Sequence, residues 1–490
     1  MLLSLVSVPA STIQSKGESA FQQNLKTWER SIVTLDVARK DYNYFLPWTR
    51  QASRQRKTGI VVGKHEILTT ADGLFDRTFI RVQKGGRGQW WFGTVSWIDY
   101  GANLALVMVA DSNFWSGLEP ASLGSMPPDG RLQILRWTDG NLERRSAEFT
   151  QYTVRQAQLA PINHAVLEAS SEIQNAGWCE PIVSGTRVVG LVRAQSGRTC
   201  IAIPASFIRS ILDARRNGQY HGLGYFHFYW QPTENPASLA ALHLPGPPRG
   251  VIVIEVSPRP DGLPNVLRPN DIILQIDGFD VDIQGDYDDP EYGNIMLENL
   301  ATRFKWAGDA VKMKIWRDNK GMEVTYRLPK YRFTDSLVPF ATYDKEPEYL
   351  IVGGLVFQPL TDSYLQGWGA DWRGRAPLSL THYCDVAPTK KRPALVILSQ
   401  VLPDSFTLGY EDLRYLVVDK VNGQRVSYLS DLKAALRKPV NGYNIIEFMK
   451  SNSLRRMVIG AGEAERQATA RVLRRYGIDE SFYLASNEGP

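Results

Sequence analysis

The feature that most constrains the fold is a series of short β-branched runs between Ser31 and Pro204, with no helical period among them. "TGIVVGKHEILTTA", "TFIRVQKGGRGQWWFGTVSWID", "LALVMVA", "RLQILRW", "RVVGLVRA" and "TCIAIP" follow one another, separated by turn residues. Strand side chains alternate between two faces, so short strands at this spacing close into a barrel or pack as a sandwich. A helix ends the series. In "PASFIRSILDARRNG", Phe207, Ile208, Ile211 and Leu212 form the apolar face, Arg215 and Arg216 fall in the last turn, and Gly218 lies beyond it.

A second kind of unit follows, twice. The first copy has "GLGYFHFYW", "GVIVIEV", "LRPNDIILQIDG", a predicted helix "NIMLENLATRF" from Asn294, and a hairpin "VKMKIWRDNKGMEVTYRL" turning at Asn319, Lys320 and Gly321. The second has "VGGLVFQPL", "LVILSQVL", "LRYLVVDKVNG", a helix "YLSDLKAALRK" and "NIIEFM". The shared order is a Gly-rich turn with a strand, two further strands, a helix and a strand. Two diverged copies of one small module is the economical account. "RFTDSLVPFATYDKEPEYL" links them, and a last helix from Glu463 has glutamates at its start and arginines at its end, matching the helix dipole.

At 490 residues there is room for about three domains. Charged residues at 22% and hydrophobic ones at 43% are those of an ordinary globular chain, and the net charge of +5 is modest. The basic clusters "TRQASRQRK", "TKKRP" and "VLRRYG" come without aromatic interleaving, so they read as solvated faces and helix ends, and no nucleic-acid partner is expected. Cys179, Cys200 and Cys384 fit no CxxC metal or redox pattern, and no metal or other cofactor is expected. Cys179 and Cys200 pair if the compartment oxidises, leaving Cys384 over; three buried small hydrophobes is the alternative. The start, "MLLSLVSVPAS", ends an apolar run at Val8, Pro9 and Ala10 like a secretory signal without its basic region, which makes export, to the periplasm or outside the cell, the expected localisation. No window reaches the ~18 apolar residues of a membrane span, so the protein is expected to be soluble.

These residues, in this order, resemble the HtrA/Deg family, and most of all its plant and bacterial Deg branch, through "GGLVFQPL" at Gly353 to Leu360, "ILSQVL" at Ile397 to Leu402, and Gly409, Tyr410 and Glu411. The resemblance covers Ser31 to the C-terminus. It implies a mainly β protein with some α: a trypsin-like double β-barrel followed by two PDZ-like α+β domains. The expected boundaries are 1–24 for the signal-like start, 25–217 for the trypsin-like domain, 218–333 for the first PDZ domain, 334–349 for a linker and 350–485 for the second PDZ-like domain with its final helix. It also implies trimer-based self-association.

The family's catalytic histidine lies in a stretch like "ILTNAH", its aspartate just before "LAL" and its serine in "GNSGGP". Here "ILTTAD" puts Asp72 at the histidine, "GANLALV" puts Asn103 at the aspartate, and counting back from Pro181 puts Trp178 at the serine and Ala176 at the first glycine. A serine attacks only when a base takes its proton and a third group orients that base. A carboxyl with a pKa of about 3.9 is a poor base for an alcohol, and an indole has no nucleophilic atom. With Ala176, Cys179 and Glu180 in place of glycines, the turn that presents oxyanion-hole N–H groups is expected to be built differently. Cys179 is the one substitute nucleophile, and it needs a base from His65 or His164. Asp72 with Glu180 as a carboxylate pair or metal site is the weakest option.

The expectation is therefore a pseudoprotease that binds peptides or unfolded proteins as a scaffold, chaperone-like holder or adaptor in protein quality control. An active serine-type or Cys179-dependent endopeptidase is the alternative, and a purely structural oligomer the third reading. Peptide capture is expected at Leu223, Gly224 and Tyr225 in the first module and at Gly354, Leu355 and Val356 in the second, where backbone N–H groups beside a Gly-rich turn would hold a terminal carboxylate.

Overall fold

In the computed structural model the described residues are 26–127, 130–259, 261–333, 335–450 and 454–484. The apolar start lies outside them. The β-branched runs form strands β1 (Ile32–Tyr42), β2 (Arg50–Gly63), β3 (Glu66–Thr69), β4 (Arg77–Lys84), β5 (Trp90–Asp99) and β6 (Leu104–Val109), which close into a barrel in the order β1-β2-β3-β6-β5-β4. The interior is tight: a Cβ added at Gly59 would meet Leu35 Cδ1 at 2.5 Å, so a larger residue at this position in β2 would force core side chains to shift.

A second barrel follows from β7 (Ser122–Leu123), β8 (Arg131–Thr138), β9 (Asn141–Gln156), β10 (Asn163–Ser171), β11 (Pro181–Ser184), β12 (Arg187–Ser196) and β13 (Thr199–Pro204). Its order is β11-β8-β9-β10-β13-β12-β7, and β11 pairs β12 to close it. The helix Ala205–Arg216 comes next, burying Phe207, Ile208, Ile211 and Leu212 as its pattern requires.

The two modules share one strand order. In the first, Phe228–Gln231, Val251–Val256, Ile272–Ile276, Ala310–Arg317 and Lys320–Arg327 lie side by side in sequence order. In the second, Leu355–Pro359, Val396–Val401, Leu416–Val421, Tyr443–Phe448 and Arg456–Gly460 do the same, with two further strands, Tyr349–Val352 and Phe482–Tyr483, added beyond Leu355–Pro359. The helices Leu429–Leu436 and Glu463–Tyr476 stand where the sequence puts them, and Gly477, at φ +64°, caps the latter.

Two expectations are corrected. The stretch from Asn294 is no helix: Gly293–Met296 is a strand paired with Asp286–Asp289, and Leu297–Ala301 is a single 3₁₀ segment. Asn299 explains why. Its amide donates to Tyr287 Oη at 2.7 Å and accepts from the N–H of Ala165 on β10 at 3.2 Å, so the segment is shaped by packing on the second barrel and not by helix propensity. The hairpin also turns one residue early. Arg317 pairs with Lys320, and Asp318 and Asn319 form the turn with φ of +50° and +63°, the left-handed pair that a two-residue hairpin uses.

Contacts divide the chain into two units, one of residues up to Ala38 with Arg54–Tyr331, the other of Arg39–Ser53 with Arg332–Pro490. The expected boundary at 217/218 thus falls inside the first unit. There the first module rests on the barrels through Tyr292, which packs on Tyr152 at 4.8 Å and hydrogen-bonds Ser206 at 2.7 Å, and through Tyr220, which donates to Asp99 at 2.7 Å. Among the described residues no helix is long and apolar enough to cross a membrane.

Candidate functional site: a self-satisfied loop and a free sheet edge

The structure brings Asp72 and Asn103 into contact. Asp72, just past β3, donates its main-chain N–H to Asn103 Oδ1 at 2.8 Å, and its carboxylate accepts from Gln158 Nε2 at 3.0 Å. Asn103 is fully buried with φ +53°, in the turn between β5 and β6. Beside them lies a residue that sequence reasoning missed. Lys57 sits in the cluster read as a solvated face, yet it is 2% exposed. Its ammonium donates to Thr70 Oγ1 at 2.7 Å and to the Asp72 carbonyl, and lies 5.6 Å from the Trp178 ring centroid. The overlooked signal is its place directly before the buried run Thr58 to Val61, where strand alternation gives way to two-sided burial.

Trp178 is tied in through its main chain, whose carbonyl accepts from Thr58 N–H at 2.8 Å. The loop around it spends its own donors internally. Gly177 and Trp178 both donate N–H to Glu180 Oε2, at 2.9 and 2.8 Å, and Ala176 N–H donates to Gln195 Oε1 at 2.8 Å. The Gln195 amide in turn donates to the carbonyls of Ile173 at 2.5 Å and Gly197 at 3.0 Å, stitching the loop to the end of β12. Glu180 is 2% exposed, so its carboxylate is a fixed part of the loop. Backbone N–H groups that already hold a buried carboxylate and an amide oxygen cannot also receive a developing oxyanion without giving one up.

The loop keeps a left-handed residue even without a glycine there. Cys179 has φ +71°, with its N–H donating to Val192 O at 3.0 Å. That conformation costs roughly 1 kcal/mol in a residue with a Cβ. Its thiol is fully buried, and burial pushes it up to about 11, with Lys57 and Thr69 only partly opposing. A thiol of that kind is almost wholly protonated at neutral pH. Neither candidate base is beside it. His65 is exposed in the β2–β3 turn, its ring 5.1 Å from Trp115, and His164 is stacked on Phe207 at 4.8 Å with Nδ1 on the Ala165 carbonyl at 2.8 Å. Cys179 and Cys200 form no disulfide, since all three cysteines are free thiols. That corrects the pairing considered above and leaves Cys179 and Cys200 as buried small hydrophobes, with Cys384 only half-buried. No group of three or more His, Cys, Asp or Glu among the described residues could hold a metal ion.

The two peptide edges differ. In the first module Leu223 is buried, Gly224 bridges to Lys330, and the Tyr225 ring stands against His227 at 5.3 Å and Tyr331 at 5.8 Å. The strand that follows, Phe228–Gln231, pairs only with Val251–Val256 among the described residues, which leaves its outer edge open. In the second module both edges are taken. Val356 faces Ile351 on one side and Gln400 on the other, Leu355 faces Val352 and Val401, and Leu355 and Val356 are fully buried. Gly354, at φ +107°, makes the tight return possible; a Cβ there would lie 2.5 Å from the Leu402 carbonyl. The strand Tyr349–Val352 thus occupies the edge where an added peptide strand would pair.

Two closed barrels followed by two five-stranded modules define the class: a trypsin-like domain carrying PDZ modules. The PDZ domain family matches residues 338–482. Protease Do-like 2, chloroplastic, of Arabidopsis thaliana is 28% identical over 458 residues, covering 89% of this chain and 72% of that one. Protease Do-like 4, mitochondrial, of the same plant is 28% identical over 401 residues, 79% of this chain and 72% of that one. Among solved structures, the HtrA-type protease AlgW with decapeptide has a TM-score of 0.46 at 14% identity, over 63% of this chain and 99% of that chain. The chain is thus similar over most of its length to the Do-like proteases, with a trypsin-like domain and a PDZ domain.

Proposed function

We propose that this chain is a pseudoprotease that holds extended polypeptide segments, unfolded chains among them, without cleaving them, as a scaffold or chaperone-like adaptor in protein quality control. One observation carries the reading. Glu180 and Gln195 occupy the N–H donors around Trp178, the residue that motif counting sets against the nucleophile. Cleavage of fluorescent casein by the purified chain is expected to match the blank, and Cys179→Ala to change nothing. Cleavage lost on Cys179→Ala would instead make the chain a cysteine-dependent peptidase.

Binding is assigned to the first module. A peptide added along Phe228–Gln231 brings its terminal carboxylate to the turn at Leu223, Gly224 and Tyr225, beside Lys330. Gly224 is a poor site for a test, because a Cβ there would approach Leu328 Cβ to 2.7 Å and disturb the fold. Lys330 is exposed and serves better. Lys330→Glu should weaken a peptide with a free C-terminus by about tenfold, or ~1.4 kcal/mol, and leave its C-terminal amide unchanged, as read by fluorescence polarisation. Equal loss for both peptides would place the carboxylate elsewhere.

Trimer-based self-association belongs to the same reading, and sedimentation equilibrium tests it. Export is our expectation for the compartment. The chloroplastic and mitochondrial names of the plant relatives make an organelle the competing destination, which imaging of a tagged chain decides.

A further inference from the structure

The second unit contains a socket that neither barrel nor PDZ sheet explains. Between its strands Leu355–Pro359 and Val396–Val401 the chain inserts short helices, Asp362–Leu365, Trp372–Arg375 and Leu378–Thr381, around a core of Tyr364, Leu365, Leu380, Leu395 and Ile397. Into this insertion reaches residue 45, at the tip of the β1–β2 hairpin and counted by its contacts with the second unit. Phe45 lies edge-on to Tyr364 at 5.6 Å and to Trp368 at 4.7 Å. Gly367 admits it, since a Cβ there would come within 2.8 Å of the Phe45 ring.

The tip is gripped as a peptide is gripped, through its main chain. Gln358 Nε2 donates to the Tyr44 carbonyl at 2.9 Å and Gln400 Nε2 to the Phe45 carbonyl at 2.6 Å. Asn43 prepares the tip by accepting from the N–H groups of Phe45 and Leu46, at 3.0 and 3.2 Å, in an Asx turn that keeps the carbonyls outward. Lys40 and Arg50, flanking the tip, both reach Glu346, at 3.1 and 3.2 Å.

The fit is incomplete in a particular way. Gln358 Oε1 and Tyr364 Oη have no hydrogen-bond partner among the described residues, although both side chains are 1% exposed. One is on the amide that holds Tyr44 and the other on the ring that faces Phe45. Buried polar atoms left unpaired cost free energy, so a ligand that satisfied them would bind better than the tip does. Tyr44 and Phe45 are themselves only half-buried, and Leu46 is 38% exposed.

We propose that this socket is a recognition site for a turn segment bearing an aromatic side chain, and that the Tyr44–Phe45 tip is its built-in resting ligand. The preferred external ligand presents the same two carbonyls and adds a main-chain N–H for Gln358 Oε1. The site is separate from the open edge of the first module and does not depend on whether the barrel cleaves.

A tethered ligand acts at an effective concentration of order mM, so removing it raises the apparent affinity for an external competitor. The probe is a fluorescent acetylated and amidated Asn-Tyr-Phe-Leu-Pro-Trp peptide, added to the full chain. Phe45→Ala should bind it at least about tenfold more tightly than the unaltered chain, and Trp368→Ala in the same background should abolish the gain. Phe45→Leu, which retains apolar volume without the aromatic edge, is run beside it, and each variant is checked by thermal melting. No gain in either variant would overturn the proposal. So would loss of the second unit's unfolding transition in both, which would make the tip a core element.

Discussion

Building a family-type triad at the positions that motif counting assigns, with Asp72→His, Asn103→Asp and Trp178→Ser, is expected to leave casein cleavage at background. The nucleophile and base would return, but Glu180 would still hold the N–H groups at positions 177 and 178, and Gln195 that of Ala176. Lys57 adds a second obstacle, because an ammonium bonded to the carbonyl of residue 72 disfavours an imidazolium on the same residue. Adding Glu180→Gly and Gln195→Gly frees the donors and is expected to raise the rate by about a hundredfold or more, the usual worth of an oxyanion-hole donor. Equal rates in the three- and five-residue variants would show that the filled donors are not what blocks chemistry. The comparison is informative even if both are slow, since it isolates the loop from the triad.

Between pH 7.5 and 5.0 the first unit should lose about 2 kcal/mol of stability that a His164→Phe variant retains. His164 is fully buried; desolvation, aided by Arg193, holds its pKa down at about 3 against an ordinary 6.5. The folded value lies below the unfolded one, so as the pH falls through 6.5 the unfolded chain takes up the proton first. Stability is therefore complete above that pH and drains away down to about 3, where the folded imidazole also titrates. Phe at this position keeps the stack on Phe207 and removes Nε2, which has no hydrogen-bond partner among the described residues. Urea midpoints at the two pH values measure it. Parallel losses in both proteins would assign the acid sensitivity to carboxylates instead.

How much of this was legible differs from residue to residue. Where a side chain's role follows from a local apolar run or period, the sequence carried it: Val356 and Phe357 read as strand, Leu429 and Leu432 as helix, and the repeated five-strand order follows from such runs. Where a side chain's partner is far away in the chain, it did not. Asn299 looked like part of a helix because its partner Ala165 is 134 residues distant. Lys57 looked solvated because nothing local announces Thr70 and Asp72 as its acceptors, and Gln195 looked like any polar residue at a strand end.

The sequence by itself determined the β-rich first part, the duplicated module and the residues Asp72, Asn103 and Trp178 that motif counting sets against a triad, because periodicity and residue identity are local properties. Only the tertiary structure decided that the loop's N–H donors are occupied, that the first module has an open edge while the second has filled its own, and that a hairpin tip sits in an aromatic socket. The tip finds its partners more than three hundred residues away, the filled edge needs the turn that Gly354 permits, and the loop's donors turn inward to Glu180 and to Gln195 on β12, none of which residue type or period alone announces.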